Sequence, residues 1–190
     1  GNRLQRQNLI FQKEYLEKLL QGKVPENVEL IEEMCGIRWC GEQFTILLFY
    51  MEEIERDGSK EWDQVHEKQK DLEFVQFIVE NVSHELFQNN GCMVYPMIVS
   101  EVLVILVNFP KNEAIHNRDI TLETVMQLQE FMDEHMDIRY TVSAGQICCG
   151  REGIADAYQQ AIYTMETKRI YELEDTVFYE DVKVGPQYGY

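Results

Sequence analysis

The chain is short of basic charge. Its 17 Lys and Arg face 34 Asp and Glu, a formal net charge of −17 over 190 residues. Phosphate backbones repel such a surface, which excludes nucleic-acid binding as the main business of this segment. Long apolar runs are missing too, and no stretch approaches the length that spans a bilayer. Cysteine is sparse and odd in number, at Cys35, Cys40, Cys92, Cys148 and Cys149, with no CxxC spacing. A disulfide framework and a zinc motif are thereby excluded, and the expected setting is reducing and cytoplasmic. GxGxxG, a Walker lysine motif, GxSxG and HExxH are all absent. The histidines His66, His84, His116 and His135 stand alone, none paired at helical spacing, so neither a metal nor another cofactor is expected.

What remains is ordinary for a globular domain: 45% hydrophobic and 27% charged residues. A chain of this length buries most of its apolar surface without a metal or disulfide staple. The charge is uneven. Residues 1–23 hold five basic side chains against Glu14 and Glu17, a balance of +3, which leaves −20 for the rest. That asymmetry marks 1–23 as a separate linker helix. The chain opens on Gly-Asn, with no initiator Met and no signal-like segment. The expectation is an excised piece with neighbouring domains beyond its ends.

Periodicity predicts the elements. Residues 3–21 read as a helix with Leu9, Leu16, Leu19 and Leu20 on one stripe, stopped by Gly22 and Pro25. A second helix spans about 26–35, with Ile31 and Met34 inward. Residues 42–54 contain an unbroken apolar run from Thr45 to Met51, the mark of a strand buried on both faces. After a polar loop at 56–64, residues 63–88 read as a long helix. Residues 92–98 and 101–109 form a β-hairpin turning at Val99-Ser100, poor turn chemistry. A helix at 120–135, with Asp119 as its cap, precedes a strand at 138–147, a helix at 152–168 and a last strand at 176–182. The tail 185–190 frays. The order β-α-β-β-α-β-α-β predicts an α/β (α+β) fold. It is a ferredoxin-like sandwich with a mostly antiparallel central sheet, helices packed on it and a helix in front.

Candidate chemistry is thin. Glu52 and Glu53 follow the first strand, and Glu101 sits at the hairpin; carboxylates there can hold Mg²⁺. Neighbouring strand residues point to opposite faces, so only one of Glu52 and Glu53 can serve. Solvated rim charges are the simpler account. Cys148-Cys149 lacks the positive surroundings of a reactive thiolate. Ser143 has no nearby histidine and is not read as a nucleophile.

Three short segments then carry a resemblance. Thr141-Val-Ser-Ala-Gly145, Tyr158-Gln-Gln-Ala-Ile-Tyr163 and Val177-Phe-Tyr-Glu-Asp181 resemble the C-terminal half of GGDEF-type nucleotide cyclase domains, over about residues 38–183. The family's signature hairpin falls on Ile98-Val99-Ser100-Glu101-Val102. Both glycines are gone, the metal-binding aspartate becomes Ser100, and only the glutamate survives as Glu101. The first-strand aspartate falls on Tyr50 and the next acidic position on Glu52. The inhibitory RxxD site falls on Asn89 and Cys92.

The segment Leu19-Leu-Gln-Gly-Lys23 and the stretch from Tyr158 into the 177–181 segment are similar to the degenerate GGDEF-like domain of AraC-type bacterial transcription regulators. The resemblance implies a division into a linker helix (1–23), a degenerate GGDEF-like domain (24–184) and the tail. It implies a non-catalytic signalling module of a two-component type of system. Such a module sits between an upstream sensor or receiver and a helix-turn-helix domain, and itself touches neither nucleic acid nor membrane. The partner is a second copy, with Leu9, Leu16 and Leu19 on the dimer or relay helix and exposed positions such as Leu9 and Leu16 at a dimer contact. Two alternatives stay open: a nucleotide receptor with a vestigial pocket at Tyr50, Glu52, Ser100 and Glu101, and an active diguanylate cyclase.

Overall fold

The computed structural model describes residues 2–52, 61–136, 138–174 and 176–184, and the side chains of 7–52, 72–136, 138–174 and 176–182. Helix α1 (Asn2–Leu20) leads into α2 (Val28–Cys35) and strand β1 (Gln43–Met51). Then come α3 (Glu61–Gln88), β2 (Met93–Val99), β3 (Val102–Phe109) and α4 (Ala114–His135). Strand β4 (Tyr140–Ala144), the two-residue β5 (Cys148–Cys149), a 3-10 turn at Arg151–Gly153, α5 (Ile154–Tyr171) and α6 (Tyr179–Val184) complete the described chain.

The sheet runs β2-β3-β1-β4, with β5 paired to the start of β1. Every ladder is antiparallel. The β1-α3-β2-β3-α4-β4 unit is therefore the ferredoxin-like arrangement expected from the element order. The run Thr45–Phe49 is buried throughout because β1 lies at the centre. Leu47 and Phe49 face one core with α3 and α4, which includes Val79, Leu128 and Met132. Phe44, Ile46 and Leu48 face the other, shared with Leu16 and Leu19 of α1 and with Ala157 and Ala161 of α5. Helices thus cover both faces of one sheet.

Local chemistry sets the ends. Gly36 adopts φ 73°, and Ile37 N–H donates to the Glu32 carbonyl at 2.8 Å, a glycine-capped helix end. Strand β4 stops at Gly145 for a steric reason. A Cβ there would lie 2.2 Å from the Ala157 carbonyl oxygen, so only glycine lets α5 come this close.

Several expectations are corrected. The final strand at 176–182 is α6 with a single parallel bridge between Ala144 and Phe178. Phe178 and Val182 are both buried, and a spacing of four serves one face of a helix as well as one face of a strand. The hairpin turns on Ser100-Glu101, with φ 49° and 68°, and pairs Val99 with Val102. Two positive φ values make the tight turn whose twist matches the strands. Helix α4 starts at Ala114, so Asp119 is inside it rather than capping it. Near its start, Asn117 is buried and donates to Gln43 Oε1 at 2.7 Å. On α2, Ile31 packs partly buried against the core as expected, but Met34 is 68% exposed, and the fully inward positions are Val28, Glu32 and Cys35. The strand predicted at 138–147 ends at Ala144. Glu53, most of the 56–64 loop and the 185–190 tail lie outside the described residues.

Candidate functional site

Two regions draw chemistry together. The first is the end of the sheet where β1 finishes. The β1–β3 ladder runs up to Phe49 opposite Leu103, beside the hairpin turn. Tyr50, Glu52, Ser100 and Glu101 therefore share one end of the sheet. Tyr50 is half-buried, and the other three are exposed. The Glu52 N–H donates to the Arg139 carbonyl at 2.9 Å, and Gln76 Nε2 donates to the Glu101 carbonyl at 3.1 Å. Backbone, not side chain, is what these bonds hold. The Arg169 guanidinium lies 3.9 Å from the Tyr50 ring centre, so a cation stacks where the family's aspartate would stand. Next to it, Lys168 is buried and its Nζ donates to the Val142 carbonyl at 2.6 Å. Among the described residues, no group of three His, Cys, Asp or Glu side chains could hold a metal.

No nucleophile emerges among the described residues. Ser143 is buried and donates its hydroxyl to the Ala161 carbonyl at 2.7 Å. Burial pushes the Cys92 and Cys148 thiols up to about 12, far from thiolate at neutral pH. His84, His116 and His135 are exposed.

The second region lies where α1 and α2 meet the body. Glu32 is 5% exposed and accepts four hydrogen bonds. Tyr15 OH and Trp39 Nε1 each donate at 2.7 Å. Arg151 donates twice, from Nε at 2.7 Å and from Nη2 at 2.5 Å. Burial alone raises the Glu32 carboxyl, yet the bonds from Arg151, Tyr15 and Trp39 outweigh it and hold the group below its ordinary 4.5. Tyr15 moves the other way, pushed up by burial and by its bond to Glu32. Trp39 also packs edge-on against Phe44 and Tyr95, fixing its indole N–H toward the carboxylate.

This cluster fastens the lower half of α1, where Tyr15, Leu16, Leu19 and Leu20 are all at most 3% exposed. The upper half differs: Leu9, Ile10 and Phe11 are 63%, 59% and 57% exposed. Of the three relay-helix leucines, Leu9 alone is at the surface. Leu16 and Leu19 are core residues because α2, α5 and the sheet cover them. Sequence reasoning missed the Glu32 cluster; its signal was a glutamate on the inward stripe of α2, between Val28 and Cys35.

No protein-family model and no curated protein matches the sequence. The structure is similar to the crystal structure of a regulator of polyketide synthase expression from Bifidobacterium adolescentis, with TM-score 0.52 and 10% sequence identity. The match covers 85% of this chain and 54% of that one, so the chain spans about half the length of its neighbour. At that identity the likeness is one of fold.

Proposed function

We propose that the chain is a non-catalytic regulatory module of an AraC-type bacterial transcription regulator. An upstream sensor or receiver acts on it through α1, and it passes the signal to a helix-turn-helix domain elsewhere in the full-length protein. The geometry of a homodimer carries that signal. The fold neighbour is itself named as a regulator of gene expression, which supports this class of role. The observation that carries the reading is the course of α1. It runs without a break from exposed Leu9 to buried Leu16, two helical turns on along the same face. A helix fixed at one end and carrying exposed apolar side chains at its middle suits a lever between domains. Sedimentation equilibrium tests it: the wild-type chain self-associates with rising concentration, and Leu9→Asp shifts it to monomer. A wild-type chain that stays monomeric at high concentration sinks the dimer relay.

A second reading, a nucleotide receptor without turnover, draws on the shared rim of Tyr50, Glu52, Ser100 and Glu101 with Arg169 and Lys168 beside it. Active diguanylate cyclase chemistry has the least support, since Tyr50 and Ser100 replace the family's metal-binding aspartates. Incubation with GTP and Mg²⁺ or Mn²⁺ checks this, and a cyclic dinucleotide product would overturn the non-catalytic reading.

A further inference from the structure

We propose that the Glu32 cluster is a latch. It holds α1 and α2 to the body, and the two helices open from an intact sheet as one unit. This deepens the relay reading by naming the joint at which the lever is set.

The fold supplies the division. The ferredoxin-like unit begins at Gln43 and closes its ladders without α1 or α2. Those two helices are joined to each other, with Gln12 Nε2 donating to the Cys35 carbonyl at 3.3 Å. Across the joint the polar hold is Glu32. It sits on α2 and takes its two-pronged partner, Arg151, from the turn that opens α5. Tyr15 bonds the same carboxylate from α1, so both helices depend on one group. A buried carboxylate cannot shed its partners singly at small cost, because each loss leaves charge without compensation. The cluster therefore tends to release as a whole. A hollow of about 370 Å³, lined by Glu29, Glu32, Glu33, Gly36, Ile37 and Arg38, lies beside α2 at this joint. The rest of the hold is apolar, from Leu16, Leu19 and Leu20, and has no directional requirement of its own.

Native-state hydrogen exchange on the full chain tests the latch, comparing wild type with Glu32→Gln and Arg151→Lys. The expected result is that amides of Tyr15–Leu20 and Val28–Cys35 accelerate together in Glu32→Gln, by at least about tenfold, while β1 and β3 keep their rates. Arg151→Lys keeps the charge and loses the fork, so the same amides accelerate by less. It gives the same readout if Glu32→Gln does not fold. Two results overturn the latch: β1 and β3 accelerating in step with α1, or α1 and α2 unchanged. Sedimentation addresses the relay separately, since a monomeric chain that passes the exchange test keeps the latch and loses the dimer.

Discussion

Arg151 grips Glu32 across 119 residues of chain, with Nε 2.7 Å from one carboxylate oxygen and Nη2 2.5 Å from the other. The glutamate side chain is 6% exposed and the arginine 26%, so water screens this pair little. Buried pairs of this kind add modest net stability while intact and cost much when one partner is lost. Glu32→Ala should therefore destabilise the fold by about 3 kcal/mol, and a paired Glu32→Met, Arg151→Leu change should recover most of that. Urea denaturation of wild type and the two variants measures it. Equal losses in the single and double variants would mean that packing, not charge, sets the cost.

The same carboxylate gives a pH signature. Its folded value lies below the ordinary 4.5, so its stabilising contribution is complete above that value. The contribution fades as pH falls through the folded value, when the proton displaces Arg151. Thermal melts from pH 7 down to pH 3 should show wild type losing its advantage over Glu32→Gln only below roughly pH 4.5. A constant difference across that range would contradict the assignment.

Gly145 carries a steric constraint. A methyl group there meets the Ala157 carbonyl oxygen at 2.2 Å and its carbon at 2.8 Å, both main-chain atoms of α5. Neither can step aside without moving the helix off the sheet. Gly145→Ala should cost about 3 kcal/mol, at the upper end for overpacking. Urea midpoints check it, and a near-neutral effect would show that α5 adjusts more freely than its packing implies.

The sequence was most informative where one contact pattern repeats over many residues. The apolar run of β1 and the stripe Val75, Val79 and Val82 on α3 carry their structure in their spacing, because burial on one face or two imposes a period. Single long-range partners leave no such trace. Nothing near Glu32 in the chain announces Arg151, and a local reading places Ile31 and Met34 inward on α2, ahead of Glu32, because apolarity outweighs charge there. Phe178 and Val182 read as strand residues in sequence for a related reason. A segment of one or two turns has too few positions to separate a spacing of two from one of four. The sheet-end residues were placed together through the resemblance and do lie together. Arg169 over Tyr50 was invisible because it arrives from α5, far along the chain.

The hairpin offers a gain rather than a loss. Ser100 and Glu101 both sit at positive φ, a region that charges non-glycine residues roughly 1 kcal/mol each. Asn-Gly is the pair that this turn prefers. Ser100→Asn with Glu101→Gly should therefore stabilise the chain by about 1 kcal/mol, since the Gln76 bond goes to the position-101 backbone carbonyl and survives the change. The double variant also strips two of the four candidate pocket residues. Thermal shift with GTP, ATP or cyclic diguanylate, with and without Mg²⁺, then separates the readings of the sheet end. Saturating ligand at a hundred times its dissociation constant adds about 2.7 kcal/mol, roughly 5 °C or more for a domain this size. The relay reading expects no shift in either protein. A shift in wild type that the double variant loses would return Tyr50, Glu52, Ser100 and Glu101 to service as a nucleotide pocket.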